Sequence, residues 1–109
     1  MQIFRNALCV MLMTTWAAQG DPLCVDKRLE IVEFASAPNI VQPVSAAFDA
    51  NGRLLVIENH THFRPDDYVG PETDRILAIT DSNHAGTADR FDVFFEGQQD
   101  SMDLAVHPD

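Results

Sequence analysis

At 109 residues the chain has room for one small domain, and its 17 acidic against 7 basic residues give a formal net charge of −10. A balance this acidic excludes nucleic acid and anionic lipid as natural partners, because both repel a surface of their own sign. It fits a soluble exported protein.

The first element in chain order is a targeting segment, read as residues 1–20. "MQIFRN" is a short n-region with one arginine, "ALCVMLMTTWAA" is an apolar run of about a dozen residues, and "AQG" is small at its first and last positions. The run is shorter than the roughly 20 apolar residues a bilayer span requires, so a cleaved signal helix is expected and the mature chain is not expected to insert in a membrane. Localisation is therefore exported, periplasmic or extracellular. Cleavage removes Arg5 and Cys9. Cys24 is then the single cysteine of the mature chain, unpaired or bonded outside this stretch. "DPLC" places a leucine where a lipid-attachment motif wants a small residue.

The remaining chain reads as β throughout. Residues 21–43 form an N-terminal segment in which "LEIVEFA" is a short apolar-rich strand, ended by the loop-forming "SAPNI". "VSAAFDANGRLLVIEN" is the clearest hairpin signal, two apolar segments flanking Asn51-Gly52, a dipeptide suited to positive φ. "RILAIT" and "FDVFFEG" form a second pair joined by "DSNHAGTAD", and "MDLAV" opens a further strand. No segment of twelve residues carries a helical apolar period, so five or six strands and no mature helix are expected.

Four successive antiparallel strands form an up-and-down sheet whose connections alternate between its ends. That topology puts "NHTHFRPDDYVGPET" and "EGQQDS" at one rim, bringing His60 and His62 near Gln98, Gln99, Asp100 and Asp103. If the strand stays extended, Glu58, His60 and His62 share a face, since side chains alternate with period two. Three such side chains could ligate zinc or iron, or contact a substrate; hydrogen-bonded loop residues that shape the rim are the plainer reading.

"DSNHAGTADRFD" offers a second candidate site. Asp81, Asn83, Thr87, Asp89 and Asp92 fall at the first, third, seventh, ninth and twelfth positions of a calcium-loop frame, with Gly86 at the sixth. Ala85 lacks the oxygen of the fifth position and Asp92 is shorter than the usual glutamate. The segment reads as a β-turn, with weak calcium binding as the alternative.

One such sheet is marginal alone, because a domain this small hides only about 60% of its unfolded surface. Phe48, Leu55, Ile57, Leu77, Ile79, Val93 and Phe95 nevertheless supply apolar side chains for two faces. Sheets covered on both sides occur in sandwiches and propellers. "PVSAAFDANGRLLVIENHTHF", "DRILAITDSN", "GTADRFDVFFEG" and "MDLAVHPD" resemble the first blade of exported bacterial dehydrogenase-like propellers related to soluble quinoprotein glucose and sorbosone dehydrogenases.

The resemblance implies an all-β, six-bladed propeller, with residues 44–109 holding the first four-stranded blade and the start of the second. The remaining blades of a longer chain would be its partners, and "LEIVEFA" would close the ring. It implies pyrroloquinoline quinone (PQQ) as cofactor and sugars or related alcohols as substrates. Gln98 would stand where a glutamine reaches the sugar, and His107 would cap the turn in "HPD". The alternative is a non-catalytic propeller that binds a ligand or protein at its channel mouth. On either reading this stretch alone is expected to be inactive and unstable.

Overall fold

The computed structural model describes residues 1–5 and 21–108. Among them are six strands and no helix: β1 (Gln2–Arg5), β2 (Glu30–Glu33), β3 (Pro43–Phe48), β4 (Leu54–Glu58), β5 (Asp74–Thr80) and β6 (Arg90–Gln98). The expected all-β class and the four-stranded antiparallel sheet are both present. β3, β4, β5 and β6 lie side by side in chain order, and β1 pairs with β2 in a separate two-stranded ribbon.

Gln2–Arg5, assigned to the leader, are extended and pair antiparallel with β2, where the Met1 ammonium donates to the Ala35 carbonyl at 2.6 Å. The apolar run at 7–18, expected as a signal helix, lies outside the described residues. Residues 102–106, expected to open another strand, carry none. A strand needs a neighbour's N–H and C=O groups. Here the segment is held instead through a side chain, the Ser45 hydroxyl donating to Asp103 at 2.6 Å.

The β3–β4 connection is a hairpin, but with one positive φ rather than two. Gly52 alone takes it, at 78°. Asp49 governs the turn: its backbone carbonyl accepts from Gly52 N–H, while its carboxylate accepts from the Asn51 and Arg53 amides and from Arg53 Nε. A type I turn followed by a left-handed glycine matches the strand twist in this way.

Burial follows position in the sheet. All of β4 is buried, as are Leu77, Ala78 and Ile79 of β5. One face carries the core: Leu54, Val56, Leu77 and Ile79 pack with Ala35 and Ile40 of the N-terminal segment, and Phe34 and Phe91 lie against them. The edge strands differ. Val44 and Phe48 on β3 and Val93, Phe94 and Phe95 on β6 remain exposed. β6 also bulges twice: Phe94 falls between the Ile76–Phe95 and Leu77–Val93 pairs, and Gly97 between Arg75–Glu96 and Asp74–Gln98. Gly97 sits at φ 108°, so only a residue without Cβ is at ease there.

Candidate functional site

The rim where β4 ends, β5 begins and β6 ends is built around two carboxylates with no solvent exposure, Glu58 and Asp74. Glu58 closes the otherwise apolar β4, and alternation turns it onto the core face beside Arg75, its cross-strand neighbour. Its Oε2 accepts from Arg75 Nε at 3.0 Å and Nη2 at 2.5 Å, and lies 3.1 Å from His60 Nε2. Its Oε1 accepts from the Val41 amide at 2.8 Å. Both oxygens are therefore committed, as burial of a charge requires.

Asp74 works through backbone groups. Its Oδ1 accepts from the His60 amide at 2.7 Å, the Thr61 amide at 2.9 Å and the Thr61 hydroxyl at 2.9 Å. Its Oδ2 accepts from the Ser101 amide at 2.7 Å. Desolvation pushes this carboxyl upward, but the donors from Ser101, His60 and Thr61 outweigh it and hold Asp74 below the usual carboxylate range. Asn59 completes the join. Its side chain accepts from the Thr61 and His62 amides and donates to the Ser101 carbonyl at 2.8 Å.

His60 is almost wholly buried and touches something at each ring nitrogen: Glu58 at Nε2 and the Tyr68 hydroxyl at Nδ1, 3.0 Å away. Tyr68 reaches back under the loop because residue 70 is glycine; a Cβ there would lie 2.4 Å from the Tyr68 hydroxyl oxygen. Arg64 stacks over the Tyr68 ring and donates to the His60 and Glu72 carbonyls.

The rim therefore gathers what the topology implied, with one exception to the shared face. Glu58 and His60 meet, but β4 stops at Glu58, and His62 turns to solvent, where Nδ1 lies 3.5 Å from Asp100. Gln98 lies on the same rim, its Oε1 buried and without a hydrogen-bond partner among the described residues. Asp103 is drawn away to Ser45. Among the described residues no group of three or more His, Cys, Asp or Glu side chains is arranged to hold a metal ion.

The calcium-spaced turn lies at the opposite end. Asp81 accepts from the Ala85 and Gly86 amides, Asn83 from the Ala85 amide, and Asp89 from the Ser82 amide and hydroxyl. Thr87 is exposed in the turn, and Asp92 stands out on β6 with Arg90 at 3.4 Å. His107 is exposed in the C-terminal segment.

Sequence reasoning did not single out Asn59, Tyr68, Asp74 or Arg75, although the loop it placed at the rim holds the first two. Tyr68 had a signal available, as the sole tyrosine of the chain set in a polar loop. Asp74 had none, because its partners lie 13 to 27 residues away.

No helix among the described residues is long and apolar enough to cross a membrane. Comparison with curated proteins and with solved structures yields no match. A family model does match, over residues 18–106, and by it this all-β chain belongs to the family described as a domain of unknown function, DUF7133.

Proposed function

We propose that the chain is one blade of an exported six-bladed β-propeller of the glucose/sorbosone-dehydrogenase-like type. We further propose that its rim contacts a sugar or related alcohol and is not itself a catalytic centre. One observation carries the second part. The carboxylates buried at the rim spend their oxygens inside the protein, and both nitrogens of His60 are engaged. Such groups position loops; they are not free to take a proton from a substrate. Gln98 differs: among the described residues its buried amide oxygen has no partner, so a ligand hydroxyl that reaches it at the rim would supply one, and His62 and Asp100 are exposed on the same rim.

The blade reading is supported by the sheet's two classes of strand. Its central strands are buried, while apolar side chains on β3 and β6 lie open, as they would where neighbouring blades pack. The cofactor of the resembled enzymes is another matter. PQQ is a tricarboxylate and needs cations, yet Arg75 is bound to Glu58 and Arg64 to backbone carbonyls, on a rim that also holds Asp74 and Asp100. These residues do not fit a PQQ site.

Saturation-transfer NMR on the intact natural protein with D-glucose and its alditol tests the binding reading. Contact signals that fall in both Gln98→Ala and His62→Ala variants are expected. Absence of contact with either probe, or contact indifferent to both substitutions, would overturn it.

A further inference from the structure

A cleft of about 400 Å³ lies at the end of the sheet away from the rim, where the β3–β4 hairpin meets the turn after β5. That volume is within the range of small-molecule sites. Leu54 and Ile79, both buried in the core face, form its floor. Two phenyl rings line it as well: Phe34, half-buried in the N-terminal segment, and Phe48, 64% exposed at the end of β3. Nothing stands within 4 Å of where a Gly52 Cβ would lie, so the hairpin side is open.

The polar groups are at the mouth. Asn51 and His84 are exposed there and Thr80 is half-buried; among the described residues their side chains have no hydrogen-bond partner. Asp81 lines the same cleft. Its Oδ1 accepts from the Ala85 amide and its Oδ2 from the Gly86 amide, and each oxygen keeps a further lone pair. Neither lysine nor arginine is among the lining residues.

We propose that this cleft binds a primary amine carried on an aromatic ring. The apolar floor and the two phenyls take the ring, with the offset or edge contacts that aromatic pairs prefer. The ammonium has hydrogens to give, and Asp81, Thr80 and Asn51 offer oxygens to receive them. Its charge is drawn by the carboxylate, by the faces of the phenyl rings and by the net charge of −10; the carboxylate and the net charge turn an anionic head away. A sugar would match the mouth but leave the floor uncovered. The site shares no residue with the rim, and it stands whatever the rim binds.

Tryptamine and indole-3-acetate form the test, since they share a ring and carry heads of opposite charge. In 15N–1H spectra of the intact natural protein, tryptamine should shift the Phe48, Gly52 and Asp81 amides, with a dissociation constant of about a millimolar or below. Indole-3-acetate should bind at least about tenfold more weakly. Phe48→Ala changes an exposed side chain and leaves the charge as it is, and it should weaken tryptamine about tenfold. Thr80→Val removes one acceptor at nearly constant shape and should weaken it several-fold. Three results would each overturn the proposal: no tryptamine shifts at these amides, equal binding of the two probes, or tryptamine binding indifferent to Phe48→Ala, which would reduce it to a cation drawn to an acidic surface. The first two need no variant, so a misfolded substitution cannot shelter the proposal.

Discussion

At one end of the sheet Glu58 and Asp74 fasten groups 13 to 27 residues away in the chain, besides the nearby His60. At the other end the carboxylates of Asp49, Asp81 and Asp89 bond, among the described residues, within their own turns, over spans of two to seven residues. The carboxylate group and its acceptor chemistry are the same. The difference is what each carboxylate replaces. A turn carboxylate competes with water for amides that solvent could also satisfy. Asp74 satisfies amides at a junction of three chain segments, where a lost acceptor leaves donors stranded. The first kind shapes a local turn, and the second decides whether 59–61 and 100–101 stay on the end of the sheet.

That contrast can be broken most forcefully at Asp74. Replacing it with alanine strands the amides of His60 and Ser101, at about 1–3 kcal/mol for each group left unsatisfied, and leaves the Thr61 amide only the Asn59 side chain. A loss of at least about 3 kcal/mol is expected from urea denaturation of the intact natural protein. A loss under about 1 kcal/mol, the level of an ordinary exposed hydrogen bond, would erase the distinction between the two ends.

Glu58→Gln comes next. It removes the charge that Arg75 and His60 share but keeps an oxygen for the Val41 amide, so the expected loss is about 2–3 kcal/mol. Combining it with Asp74→Ala should give a total that departs from the sum, because both act on His60.

Acid sharpens the comparison further. Asp74 is held below its unfolded value, near 3.9, so its contribution is whole above that pH and is lost as the pH falls through the folded value. Denaturation between pH 5 and pH 2 should therefore show a fall in stability that is shallower in Asp74→Asn. An identical acid profile in that variant would contradict the assignment. Asp49→Ala, which releases only its own turn and Arg53, should cost less than either rim substitution and add to them independently.

The smallest effect is expected from calcium. With Asp81, Asn83 and Asp89 already accepting from the turn backbone, calorimetry should show at most millimolar affinity. Sub-micromolar binding abolished by Asp81→Ala would reverse that view.

The same contrast explains what the sequence could and could not disclose. The hairpin around Gly52 and the acidic turn at 81–89 were legible because Gly, Asn and Asp act on backbone within a few residues of themselves. The four-strand order was legible because each connection was short enough to force antiparallel neighbours. From that order alone the meeting of the 59–62 segment with the 98–101 segment followed. What stayed hidden was the choice of partners. Glu58 and His60 at the end of an apolar strand read as hydrogen-bonded rim residues or as ligands, and only the fold shows that Arg75, Tyr68 and the Val41 amide occupy them. The bulge at Gly97, which sets the register of Gln98 against Asp74, gave no local sign beyond the glycine itself.

The most direct measurement of the central claim is hydrogen exchange at the amides of His60, Thr61 and Ser101 in the intact natural protein. If Asp74 binds these loops to the sheet end, the three amides exchange as slowly as those of the core strands, such as Val56 and Leu77. Exchange as fast as that of the exposed Val69 in the middle of the loop would show that the junction is open in solution, and the account would fail.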